Sequence, residues 1–99
     1  MNISGIVVEF LGSLIFFSVI LATRNALMIG ATLAFLIFAF SKISGAHFSP
    51  SVTLMMLYKK HIPLEDAVTF IVVQISAAVL AVELWKRVGD NSSLLTRHM

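Results

Sequence analysis

The chain has 99 residues and a mass of 10.8 kDa; 59% of its residues are hydrophobic, 12% are charged, and the mean hydropathy is +0.98. A water-soluble domain carries about 25% charged residues, so this chain lacks the polar surface to enclose a core in water, and a lipid bilayer is its expected solvent. About 58 residues fall in three apolar runs, which leaves no room for an extramembrane catalytic module and makes an enzyme an unexpected class.

The first run, residues 5–22, is interrupted only by Glu9 and small hydroxyl residues, and about 18 residues suffice to propose a spanning helix. A cleaved signal peptide would want a basic start and an uncharged apolar stretch; the chain opens Met-Asn-Ile-Ser and carries Glu9 inside. Thr23-Arg24-Asn25 is a short polar break that turns the second run, residues 26–43, back beside the first. The third helix is expected over residues 64–86. Pro63 suits a first-turn position, Glu65 and Asp66 favour the positive helix end, Lys86 and Arg87 the negative end, and Trp85 belongs at interfacial depth.

Between the second and third runs the chain starts as a loop of small and polar residues, then shows a helix start with Ser49 as N-cap and Pro50 at the first helical position. This helix, residues 50–59, stops at Lys59-Lys60. At 1.5 Å per residue, the roughly nine residues before that stop make about 13 Å, under half of a hydrocarbon core of about 30 Å, so the helix cannot span. Val52, Leu54, Met55, Met56 and Leu57 leave it little polar face, which disfavours an interfacial anchor. A re-entrant helix with its cationic end at the surface and its N-terminus near mid-membrane is the better fit. Irregular backbone at that depth must be shielded from lipid or line a water-filled cavity, which points to a pore or binding site.

Ser44-Gly45-Ala46-His47-Phe48-Ser49-Pro50-Ser51-Val52-Thr53 resembles the Ser-Gly-Ala-His-x-Asn-Pro-Ala-Val-Thr loop of the aquaporin and glycerol-facilitator (major intrinsic protein) family. Glu9-Phe10-Leu11-Gly12 is similar to the start of that family's first helix, and Gln74 sits where the family often has Gln. The likeness covers about residues 9–86. The chain departs from the pattern by Ser49-Pro50-Ser51 in place of Asn-Pro-Ala, which exchanges an amide for a hydroxyl that donates and accepts at once. It also carries one such half, where a family member has two halves, six helices and two loops.

The resemblance implies an all-α membrane protein of three transmembrane helices plus one re-entrant half-helix, an aquaporin-like half repeat over residues 1–88, with residues 89–99 as a polar tail not expected to fold. Family channels are inverted repeats whose half-helices meet at the bilayer centre. One copy could rebuild this only as an antiparallel homodimer, and four such pairs would mimic the family's tetramer. That demands dual topology. Lys42, Lys59 and Lys60 on one side face Arg24, Lys86, Arg87 and Arg97 on the other, a weak bias that permits both orientations.

The expected function is a membrane channel for passive transport of water and small neutral solutes such as glycerol. Two positive helix ends at Ser49-Pro50-Ser51 and its symmetry copy would repel cations, while Ser49 and the carbonyls of Ser44, Gly45, Ala46, His47 and Phe48 would replace a neutral solute's hydration. By the family's pattern Ile29, Ala46 and Val52 fall at the narrowest point; no Arg is among them, so discrimination by hydrogen bonding should be poor. Glu9, a charge in mid-helix, is expected to brace the loop near His47, with Gln74 as a second structural brace.

Two other readings stay open: a non-conducting fragment that partners a full-length channel, and a small dual-topology antiporter that titrates Glu9. His47 has no second His, Cys or carboxylate at chelating spacing, so no metal or cofactor is expected, and Ser49, His47 and Glu9 make only a nominal hydrolase set. Without Cys there is no disulfide framework or thiolate chemistry. The net charge of +2 and pI near 9.4 come from scattered Lys and Arg, which form no nucleic-acid footprint and read as membrane anchors. Gly12, Gly30, Ala34, Ser76, Ala77 and Ala81 are expected to allow close helix approach, and Phe16, Phe17, Phe35, Phe38 and Phe40 to face lipid or core.

Overall fold

The computed structural model describes residues 3–91, with side chains to Val88. Its elements are α1 (Ile3–Thr23), α2 (Ala26–Ser44), α3 (Pro50–Tyr58) and α4 (Leu64–Asn91). Three of them, α1, α2 and the Leu64–Val88 part of α4, are long and apolar enough to cross a membrane, and α3 is the short fourth. The protein is thus all-α, with three spans and one half-length helix.

Local chemistry sets the boundaries. Arg24 turns the chain with φ 54°, and Asn25 caps α2 by accepting the Met28 N–H on Oδ1 at 3.0 Å. Gly45, at φ 88°, closes α2 in the left-handed conformation, its N–H donating to the Ser41 carbonyl at 2.8 Å. Ser49 caps α3, whose last carbonyls are closed by the N–H groups of Lys59 and Lys60. Pro63 lies one residue outside α4, and its carbonyl accepts the Ala67 N–H at 3.1 Å. The fourth helix runs to Asn91, past the expected residue 86, so Lys86 and Arg87 lie within it and Lys86 pairs with Glu83 one turn back at 3.4 Å. Loss of hydropathy ends the span there, but charged residues continue a helix readily once it is in water. The expected tail beyond Asn91 lies outside the described residues.

Packing runs in the order α2, α1, α4, α3, so α2 and α3 sit at the ends of a row and do not pack on each other among the described residues. Ile6 shares a cavity with Glu65, Asp66 and Thr69, whereas Leu14, Ser18 and Ala22 share another with Leu84 and Trp85, so α1 and α4 run parallel. The start of α1, Lys42, Lys59 and Lys60 therefore lie toward one end of the bundle, and Arg24, Lys86 and Arg87 toward the other. Of the small residues, Ala77 and Ala81 are buried in α4 and Gly12 is buried beneath Phe48, whereas Gly30, Ala34 and Ser76 face outward. Phe35 and Phe38 are exposed, and Phe16 and Phe40 pack partly against the core of Leu36, Ala46 and Phe48.

The depth of the linking segment follows from one contact. The Phe48 ring lies against Gly12, the tenth residue of the 21-residue α1, where any Cβ would overlap it. With α1 about 31 Å long, the chain from α2 therefore enters to about half depth before α3 carries it back out. Gly12→Ala should displace the Phe48 ring and cost about 1–3 kcal/mol through overpacking. A denaturant unfolding curve in detergent micelles should show that loss, with Gly30→Ala, where there is open space, near wild type.

Candidate functional site

Three of the four residues after α2 have left-handed backbone: Gly45 (φ 88°), Ala46 (φ 53°) and Phe48 (φ 55°). For a non-glycine residue this conformation costs about 1–2 kcal/mol, and it persists only where the surroundings over-determine it. Here Glu9 supplies the constraint. Its Oε2 accepts the Ser44 hydroxyl at 2.6 Å and the His47 N–H at 3.1 Å. Its Oε1 accepts the Phe48 N–H at 2.9 Å and Gln74 Nε2 at 2.9 Å. Ser44 Oγ also accepts the Ala46 N–H at 3.0 Å, so three successive amides are drawn toward α1.

A trans peptide carries its N–H and C=O in opposite senses, so inward amides turn the carbonyls of Gly45, Ala46 and His47 away from α1. No hydrogen bond among the described residues reaches those oxygens. Inside a bilayer, such groups belong against protein or water, never lipid tails.

The polar cluster continues into α3 and α4. Gln74 spends its second amide hydrogen on Thr53 Oγ1 at 2.9 Å, and the same Thr53 hydroxyl is hydrogen-bonded to His47 Nδ1, also at 2.9 Å. The His47 ring meets the Phe70 ring edge-on at 5.2 Å, and it approaches Gly45 so closely that a Cβ there would lie 3.0 Å from Nε2. Glu9, Thr53 and Gln74 are fully buried, so α1, α3, α4 and the loop share one polar knot.

Each residue singled out from the sequence has a definite place. Ala46, His47 and Phe48 turn their side chains inward, and for Ala46 and His47 it is the backbone carbonyl that turns away from α1. Ser49, Pro50, Val52 and Ile29 are half-buried; Gly45 and Ser51 are exposed. Ser49 has extended backbone and accepts the Val52 N–H on Oγ at 3.2 Å, so its hydroxyl hydrogen stays free to donate. Glu9 and Gln74 meet directly. Sequence reasoning named Ser44 only for its carbonyl and did not name Thr53 as part of the site; their hydroxyls complete the knot, and a buried Glu and Gln in need of donors and acceptors were the signal that could have found them. Among the described residues no group of His, Asp and Glu is placed to hold a metal ion.

Glu9→Ala should be the most damaging single change, because it leaves the part-buried Ser44 hydroxyl and three buried donors unpaired, the buried ones at about 1–3 kcal/mol each. Glu9→Gln should fail nearly as badly, since its NH₂ would face donors. Gln74→Leu removes one of the four and should cost less. Denaturant unfolding in micelles would check this ranking.

A family model described as "Major intrinsic protein" matches residues 21–98. The chain is also 39% identical over 82 residues to a protein of Lactiplantibacillus plantarum named "Glycerol uptake facilitator protein-like 6". That likeness covers 74% of this chain and 38% of the relative, so the chain spans well under half of the relative's length. No solved structure matches. Major intrinsic proteins are channels and not enzymes, in line with the reading of the composition. With its three apolar helices, the chain is an integral, multi-pass membrane protein and belongs to the major intrinsic protein family.

Proposed function

We propose that two copies inserted in opposite orientations form one pore for passive transport of water and small neutral solutes such as glycerol. The observation that carries this reading is the outward row of carbonyls at Gly45, Ala46 and His47, beside a half-helix that starts at mid-depth. The gap between α2 and α3 supports it, because a second half has room to close a pore there. Near-equal basic charge at the two ends, Lys42, Lys59 and Lys60 against Arg24, Lys86 and Arg87, gives little bias against either insertion. The relative's name as a glycerol uptake facilitator supports the solute class.

In this mechanism a neutral solute exchanges hydration water for the row of carbonyl acceptors and the Ser49 hydroxyl donor. A cation meets two α3 N-termini, each equivalent to about +0.5 charge. Ile29 and Val52, with their copies, form an apolar constriction without Arg, to which Ala46 adds its carbonyl and not its buried side chain; this favours small polyols and urea alongside water over strict water selectivity. Transport is not proton-coupled, because both Glu9 oxygens are occupied by donors and the side chain is fully buried.

Stopped-flow light scattering of proteoliposomes tests the proposal. Water and glycerol fluxes well above protein-free vesicles, unchanged by an imposed proton gradient, are expected; fluxes at background would refute it. Val52→Arg places two cations at the constriction and should cut glycerol flux at least tenfold, with a smaller effect on water.

A further inference from the structure

Away from the polar knot, α1 and α4 flank a groove of about 370 Å³ walled by Leu14, Ile15, Val19 and Ala22 of α1 and Leu84 and Trp85 of α4; apart from Ser18 it is apolar. Leu14 is the twelfth residue of the 21-residue α1 and Ala22 the twentieth, so the groove runs about 12 Å, from mid-depth to one surface. That is close to one leaflet, half of a hydrocarbon core of about 30 Å. Ala81 of α4 is fully buried, but Leu84 is 44% exposed, so the groove stands open.

Basic residues stand at its outer end. Arg24 follows Ala22 by two residues, and Arg87 follows Leu84 by three, which puts it on the same face of α4. Both arginines are exposed, and neither has an ion pair among the described residues. Lys86 differs: it lies two residues past Leu84, on another face, and pairs with Glu83 at 3.4 Å. Trp85, half-buried, brings an aromatic ring with a polar N–H to the same rim.

We propose that this groove holds one anionic phospholipid, with an acyl chain against Leu14, Val19 and Leu84 and the phosphate between Arg24 and Arg87. Two facts single out that occupant. A spanning helix of a second copy would need a groove through both leaflets, whereas this one ends at mid-depth, as a chain from one leaflet does. An apolar groove capped by two unpaired guanidinium groups matches a molecule that is apolar along its length and anionic at one end.

Trp85 is the sole Trp of the sequence, so its fluorescence reports from the groove. The protein is reconstituted in phosphatidylcholine vesicles holding a minor fraction of phosphatidylglycerol, with bromine, a contact quencher of indole, on the upper acyl chain of one lipid or the other. Two arginines, each giving about threefold near an anionic headgroup, should make the groove prefer phosphatidylglycerol about tenfold. Arg87→Gln should cut that preference about threefold, whereas Lys86→Gln, which removes the same charge from a paired residue, should leave it unchanged. Ala22→Phe, which fills the groove, should abolish the preference. Equal quenching by the two lipids would mean an ordinary annular lipid and would overturn the proposal. Equal losses in Arg87→Gln and Lys86→Gln would overturn it in favour of diffuse surface attraction, and quenching by neither lipid would mean that a second copy covers the groove. Inorganic phosphate should displace no more brominated lipid than chloride at equal ionic strength; greater displacement would mean a free-anion site and no lipid site. The readout is lipid contact and not flux, so the result is independent of the pore reading.

Discussion

A carboxylate inside a bilayer must be surrounded by donors, and in this protein that requirement organises everything else. Glu9 collects a hydroxyl, two backbone amides and a side-chain amide from three parts of the chain. Without it the left-handed residues at Ala46 and Phe48 would have no reason to hold a conformation that works against them. With it, the segment after α2 is pinned to the middle of α1, and the start of α3 is fixed in depth.

Packing and polarity cooperate at that point. Gly12 removes a side chain so that the Phe48 ring can lie against α1, while Glu9, less than one turn earlier, holds the Phe48 amide. Gln74 and Thr53 link the same carboxylate to α4 and α3, so the half-helix is tied at its first turn and free at its cationic end. The arrangement separates rigid from adaptable surface: the α1–α4 seam is close-packed, whereas α2 buries only Leu36 and exposes most of its length.

Much of this was legible in the residues. Hydropathy located the three spans, because an 18-residue apolar window admits few alternatives, and Ser49-Pro50 marked the short helix through cap chemistry. The energetic burden of Glu9 in a span foretold that it would find partners, and Gln74 is one of them. Less accessible was the inward turn of the Ala46, His47 and Phe48 side chains, which depends on a carboxylate more than thirty-five residues away in sequence. The roles of the Thr53 and Ser44 hydroxyls escaped notice because one hydroxyl among many carries no signature until the geometry assigns it a donor and an acceptor. The continuation to Asn91 was hidden because hydropathy reports the bilayer edge and says nothing about where a helix stops.

The outward carbonyls of Gly45, Ala46 and His47 owe their direction to the peptide group itself: each is the far side of an N–H held by Ser44 or Glu9. Stability and lining are therefore two faces of the same three planar units. A substitution that loosens the grip on an amide also swings the oxygen on its back, so the segment cannot be softened for folding and kept in aim for a passing molecule. In such a wall there is no separate dial for selectivity; the lining is adjusted by changing the residues behind it.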